Sequence, residues 1–194
     1  MESIFRQPRK TILGLVGERG SGKGTFASVV SQVLGPDVAH FRFSTVLSET
    51  LRIWGLPHTT ENLQKIANAV AQQFGEAALA EALKKRVVQC TARVVIIDGV
   101  RRVPDELLVR SFPEAKLVYI TAPLSARHNR VQNRQEKSDD QHALELFVTI
   151  GQAANESLIP EIGKRADHTL LNEGTFDDFV QAIGRFIQSE IGSS

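Results

Sequence analysis

Gly17-Glu18-Arg19-Gly20-Ser21-Gly22-Lys23-Gly24-Thr25 is the stretch whose residue types and spacing can do chemistry most directly. Its glycines permit backbone angles at which successive N–H groups point inward and cradle phosphate oxygens. Lys23 places a point charge on the β- and γ-phosphates of a nucleotide, and a helix opening there adds the positive end of its dipole. The pattern G-x-x-x-x-G-K-[ST] is met from Gly17 to Lys23, but Gly24 stands where Ser or Thr would be. Thr25, one residue later, then offers the hydroxyl near Mg²⁺, directly or through water. The residues expected to hold the phosphates are Gly17, Arg19, Gly20, Ser21, Gly22, Lys23, Gly24 and Thr25. A glycine-rich surface turn with an incidental lysine would not need to lie between an apolar run and a helical run, as this stretch does.

Three further groups carry charge in suggestive places. Asp98 ends the apolar run Arg93-Val94-Val95-Ile96-Ile97 and is followed by Gly99, and Arg101 and Arg102 come directly after. Arg127, Arg130, Arg134 and Lys137 are spaced three, four and three apart. If Pro123–Lys137 is helical, all four project from one face, where like charges repel unless an anion lies against them. Nucleic acid is a poor match for that anion, because no aromatics interleave with the stripe. A membrane surface is poorer still, since the opposite face carries little beyond Leu124 and Val131.

The elements that must position these groups alternate along the chain. Thr11–Val16, Val38–Phe43, Arg93–Asp98, Leu117–Ile120 and Thr169–Leu171 read as strands. Gly22–Leu34, Val46–Trp54, Thr60–Phe74, Glu76–Gln89, Pro123–Lys137, Asp139–Leu158 and Phe176–Ile191 read as helices. Gly35-Pro36 is a stop signal for the first helix. Apolar strands separated by helices imply a parallel sheet covered on both faces, with ligands beyond its C-terminal edge. The expected fold is a three-layer α/β/α domain.

Composition bounds the rest. The chain has 194 residues, 23 Lys+Arg against 22 Asp+Glu, and a formal net charge of +1. At 42% hydrophobic and 23% charged it is an ordinary globular sequence, not a disordered or collagenous one. The near-neutral balance argues against a protein that coats nucleic acid or an anionic membrane. Cys90 is the single cysteine, which excludes an intrachain disulfide and a cysteine-built metal site and fits a cytoplasmic location. Residues Met1–Pro8 show no apolar run of signal-peptide length, and no segment approaches the roughly 20 apolar residues of a membrane span. Five scattered histidines show no i, i+4 pairing for zinc.

The G-x-x-G-x-G-K-G-T form, with Gly after the lysine, resembles the phosphate loop of adenylate kinases and related nucleoside monophosphate kinases. Asp98-Gly99-Val100-Arg101-Arg102 is similar to their Asp-Gly-x-x-Arg segment. The whole layout, including Asn172-Glu173-Gly174-Thr175 after the last strand, most resembles an adenylate-kinase-like or dephospho-CoA-kinase-like group, over about Ile12 to Phe179. This resemblance implies a single P-loop kinase domain over 1–194, with an acceptor-binding helical segment at about 44–90 and a lid at about 124–140. It implies ATP and Mg²⁺ as cofactors, Asp98 and Thr25 near the metal, and Asn172 and Gly174 beside the donor base. Arg101, with Arg102 second, would grip the acceptor's phosphate, and Arg130 and Arg134 in the lid would join Lys23 in catalysis.

Two departures qualify the acceptor. Ser48 occupies the place of an arginine that adenylate kinases carry, with Arg52 one turn later. No Lys or Arg lies between Asp139 and Gly163, where those kinases place further arginines. Ser44 is expected to cap the helix that follows it, and Trp54 to pack in the core at its end. The leading expectation is transfer of the γ-phosphoryl of ATP to a nucleotide-like small molecule, a nucleoside monophosphate first. The alternatives are a dephospho-CoA kinase-like enzyme and a nucleotide-binding regulatory ATPase. No nucleic-acid or membrane partner is expected, and the protein would be a monomer or a dimer.

Overall fold

A computed structural model describes residues 10–134, 147–149 and 156–192. In chain order the elements are β1 (Thr11–Val16), α1 (Lys23–Leu34), β2 (Val38–Arg42), α2 (Phe43–Ile53), α3 (Thr60–Phe74) and α4 (Ala78–Gln89). They continue with β3 (Val94–Val100), α5 (Val103–Arg110), β4 (Lys116–Thr121), α6 (Leu124–Arg134), α7 (Ile159–Gly163), β5 (His168–Leu171) and α8 (Phe176–Glu190). The strands form one five-stranded parallel sheet in the order β2-β3-β1-β4-β5.

Strand periodicity explains why the sheet needs cover on both faces. In β1, Leu13 and Leu15 join Phe26 and Val30 of α1 and Phe179 and Ile183 of α8. Ile12 and Val16 point the other way, to Val87 of α4, Leu108 and Val109 of α5, and Ile159 and Ile162 of α7. Alternate residues of one strand therefore feed two separate cores. The result is the three-layer α/β/α arrangement of a P-loop NTPase.

The topology also fixes where a ligand can sit. From β1 the chain runs to the edge strand β2, whereas from β3 it runs the opposite way to β4. The crevice at such a reversal opens beyond the C-terminal ends of the two strands, after Val16 of β1 and around Asp98 to Val100 of β3. A bulge sharpens it: Leu15 pairs with Asp98 but Val16 pairs with Val100, so Gly99 is looped out and the chain turns away from the sheet.

Several boundaries differ from the sequence expectation. α2 begins at Phe43, not Val46, because the buried stripe Phe43, Leu47, Leu51 extends back to the strand end. Arg42 is its N-cap, without a side-chain cap bond. Ser44 therefore lies inside the first turn and caps nothing. Trp54, expected in the core, is 65% exposed at the helix end, since the stripe stops at Leu51. Helix α5 was not anticipated. Pro104 sits in its first turn, where no N–H is needed, and Asp105 accepts from the backbone N–H groups of Arg101 and Arg102. The short helix α7 continues beyond the expected end at Leu158. Most of the expected helix 139–158, Lys137, and the end of the expected lid lie outside the described residues.

Candidate nucleotide-binding site

The loop from Gly17 to Gly22 joins β1 to α1 and is curled around its own lysine. Lys23 Nζ donates to the carbonyls of Gly17 at 2.6 Å and Glu18 at 3.0 Å. Two glycines are required by close approach as well as by backbone angle. At Gly20 (φ +80°) a Cβ would lie 2.5 Å from the Arg127 carbonyl, and at Gly22 (φ +115°) it would lie 2.4 Å from Asn172 Nδ2. The loop is thus clamped between α6 and the connection after β5. Asn172 is the clamp's polar link: its Nδ2 donates to the Ser21 carbonyl at 2.8 Å, and its Oδ1 and main-chain carbonyl accept from Arg130 Nη2 at 3.1 and 3.0 Å.

Asp98 is 6% exposed at the end of β3. Its Oδ2 meets His40 Nε2 at 3.3 Å and Arg42 Nε at 3.2 Å, while its Oδ1 is buried with no partner among the described residues. Burial pushes this carboxyl's pKa up, but the His40 hydrogen bond and the charges of Lys23, His40 and Arg42 outweigh burial and hold it below the usual range. Burial likewise pulls the Lys23 ammonium below its ordinary value, with Arg101 adding to that and Asp98 opposing it. The acid and the lysine at the sheet's C-terminal edge therefore sense one another.

The remaining basic residues divide. Arg101 Nη1 pairs with the buried Glu156 at 3.1 Å, and Arg102 Nη1 with the exposed Glu76 at 3.3 Å. Both still line the cleft that holds Lys23 and Asp98. Arg130 also lines it, and its Nη1 is buried without a partner among the described residues. Arg127 does not join them. Its Nε donates back to the Ala122 carbonyl at 3.0 Å and its guanidinium lies 6.0 Å from the Phe147 ring centroid, on the other side of the loop. The four-cation stripe thus does not act as a unit, because Arg127 folds back onto its own helix start. Arg134 ends α6 with its side chain outside the described residues.

The cleft measures about 1280 Å³ and is completed by the α2–α4 segment. Leu47, Leu63, Ala67 and Leu79 give it an apolar wall. Ser48 Oγ donates to the Ser44 carbonyl at 2.8 Å and lies 2.9 Å from His58 Nε2. Buried Gln64 Nε2 has no partner among the described residues. Arg19, Gly20, Ser21, Gly22, Gly24, Thr25, Asn172 and Gly174 all line the same space. Gly17 lies beneath the loop, where a Cβ would be 2.2 Å from the Ile120 carbonyl. Sequence reasoning missed His40, Arg42, Gln64, Asp105 and Glu156. For His40 and Arg42 the available signal was their i, i+2 spacing, which places both on one face of β2.

The AAA domain profile AAA_17 matches residues 16–146, more than half of the chain. A UPF0200 protein of Aeropyrum pernix is 29% identical over 173 residues, covering 88% of this chain and 89% of its own length. A UPF0200 protein of Methanoregula boonei is 29% identical over 184 residues, 92% of this chain and 96% of its own. Among solved structures, TT1252 from Thermus thermophilus superposes with a TM-score of 0.58 at 18% identity, covering 93% of this chain and 98% of the other. Shikimate kinase from Acinetobacter baumannii in complex with shikimate superposes with a TM-score of 0.52 at 18% identity, covering 96% and 97%. These likenesses agree with the three-layer P-loop NTPase fold, and by its profile match the chain belongs to the AAA_17 family of AAA domains.

Proposed function

We propose that this protein moves the γ-phosphoryl of ATP to a nucleotide-like small molecule, with a nucleoside monophosphate as first acceptor and dephospho-CoA as the alternative. One observation carries the reading. Ser21 Oγ, Gln64 Nε2, Asp98 Oδ1, Asp105 Oδ1 and Arg130 Nη1 are buried without partners among the described residues, and all five residues line one cleft. Buried polar atoms are nearly always paired, so this concentration marks a site shaped for a polar, charged ligand.

In this reading the loop from Gly17 to Gly24 presents its backbone to the ATP phosphates and Lys23 takes the β/γ oxygens. Arg130 approaches from α6, Arg134 is proposed to join it in catalysis, and Asn172 and Gly174 meet the donor base. Mg²⁺ fits beside Asp98, whose Oδ1 has no partner among the described residues and whose carboxyl is held below its usual pKa range. Thr25 supplies a hydroxyl in the same cleft. Among the described residues no group of three or more His, Cys, Asp or Glu could hold a metal alone. Most ligand oxygens would then come from ATP and water. When bound, the ion neutralises charge on the β- and γ-phosphate oxygens.

Arg101, with Arg102, receives the acceptor's phosphate, and the apolar wall of α2–α4 receives its organic part. An acceptor oxygen then bonds to Pγ as the bond from Pγ to the bridging oxygen breaks, and ADP keeps the electron pair. The test is coupled ADP release against nucleoside monophosphates, deoxynucleotides and dephospho-CoA. One acceptor class is expected to raise turnover well above water. If every acceptor leaves ADP release at the rate seen with water, the transfer reading is wrong.

A regulatory ATPase is the second reading, and the position of Arg127 favours it, because that turn removes one cation from the cleft. It predicts tight ATP binding with slow hydrolysis whatever acceptor is added.

A further inference from the structure

Arg42 ends β2, and the sheet register sets it directly opposite Asp98. Its Nε lies 3.2 Å from Asp98 Oδ2. The far end of the same guanidinium faces the phosphate loop: a Cβ built on Gly24 would lie 3.6 Å from Arg42 Nη2 and meet nothing else within 4 Å. One planar cation therefore spans from the acid at the end of β3 to the first turn of α1. Gly24 is also the position at which the phosphate-loop pattern otherwise carries a hydroxyl, so Arg42 Nη2 lies beside the place where that hydroxyl would stand.

Arg42 shares the cleft with Lys23, Arg101, Arg102 and Arg130, and like them it also meets a protein group. Lys23 Nζ holds two loop carbonyls, Arg101 holds Glu156, Arg102 holds Glu76, and Arg127 faces Phe147. Phosphoryl transfer spreads negative charge over the three equatorial oxygens of the moving group, and a planar donor beside them is the strongest stabiliser a side chain can offer. No Lys or Arg between Asp139 and Gly163 supplies it.

We propose that Arg42 is a catalytic residue that contacts the transferring γ-phosphoryl group. This rests on the phosphotransfer reading above. As the bond from Pγ to the bridging oxygen breaks, the electron pair stays on ADP and the new bond forms to the acceptor oxygen. Arg42 Nη2 meets an equatorial oxygen while Nε stays on Asp98. A phosphate oxygen of a nucleoside monophosphate carries no proton to remove; when a hydroxyl such as that of dephospho-CoA, or water, is the acceptor, the proton it gives up passes to an oxygen of the transferred phosphoryl group. Asp98 orients the guanidinium, whose far end lies beside the first turn of α1 at Gly24.

The test uses the full chain as wild type, Arg42→Ala, Arg42→Lys and Lys23→Ala. Arg42→Lys keeps a charge beside Asp98 and so protects the fold, but lacks the planar fork. Both Arg42 variants are expected to bind Mg–ADP within about threefold of wild type and to cleave ATP in single turnover at least about 100-fold more slowly. They are also expected to lose the slow release of a fluorescent ADP in the presence of aluminium fluoride, which mimics the transferring group. Free guanidinium restoring part of the Arg42→Ala rate is the signature of a direct role. If the Arg42 variants cleave ATP within about threefold of wild type while Lys23→Ala is inactive, the Arg42 role falls and phosphotransfer stands. If wild type itself neither cleaves ATP nor retains ADP with aluminium fluoride, both readings fall.

Discussion

Asn172 donates its side-chain amide to the Ser21 carbonyl at 2.8 Å, joining residues 151 positions apart. The same side chain accepts from Arg130, so one buried amide holds the phosphate loop, the end of the sheet and helix α6 in register. Replacing it by alanine takes the donor from the buried Ser21 carbonyl and leaves Arg130 Nη2 only the main-chain carbonyl of residue 172. Asn172→Ala is expected to cost about 1–3 kcal/mol in urea unfolding and to weaken ATP binding. An unchanged midpoint would show that the loop is held by other contacts.

Lys23→Ala should lower ATP turnover by orders of magnitude while leaving the fold intact, as judged by circular dichroism and the thermal midpoint. Activity near the wild-type rate would contradict a phosphate role for this loop.

Gly22 and Gly35 both have positive φ, +115° and +68°, but differ in surroundings. A Cβ at Gly22 meets Asn172 at 2.4 Å, whereas one at Gly35 meets nothing within 4 Å. Gly35→Ala should cost only the backbone strain, on the order of 1 kcal/mol. Gly22→Ala adds a steric clash and should cost about 1–3 kcal/mol more, read as the difference between the two unfolding midpoints.

The Asp105 carboxyl is pushed above its usual pKa of 3.8 by burial, against the pull of Arg102, Arg101 and two backbone N–H groups. The folded state therefore binds this proton more tightly than the unfolded chain does. Its contribution to stability is complete below 3.8 and is lost as pH rises through the higher folded value. Asp105→Asn, which keeps an acceptor for the two N–H groups, should be more stable than wild type at pH 7. That gain should shrink as the pH falls toward 4, in denaturant midpoints measured at each pH.

Trp54 is 65% exposed while Leu51, one turn earlier, is 1% exposed. Trp54→Ala should change stability by less than about 0.5 kcal/mol. Leu51→Ala should cost about 2–5 kcal/mol. Comparable losses for the two would restore the tryptophan to the core.

What could be read from the sequence was what neighbouring residues decide together. The phosphate loop is legible because its glycines, its lysine and the start of α1 act within nine consecutive positions. The parallel sheet is legible because the apolar runs alternate with helical periods, and five strands follow with little else possible. Helix α5 escaped because Pro104 reads as a breaker unless its place in a first turn is known. The start of α2 slipped by three residues because hydroxyls at 44 and 45 look like caps, while burial of Phe43 governs.

Tertiary structure alone decided who stands opposite whom. Arg42 and Asp98 are 56 residues apart in the chain and meet only because β2 pairs with β3 in one register. Arg127 and Arg130 are on one helix at favourable spacing, yet the Ala122 carbonyl and Phe147 draw one away while Asn172 draws the other into the cleft. Local sequence sets the conformations a segment can adopt. Which charges share a cleft depends on long-range pairing and packing, and side-chain chemistry follows from distances that composition does not contain.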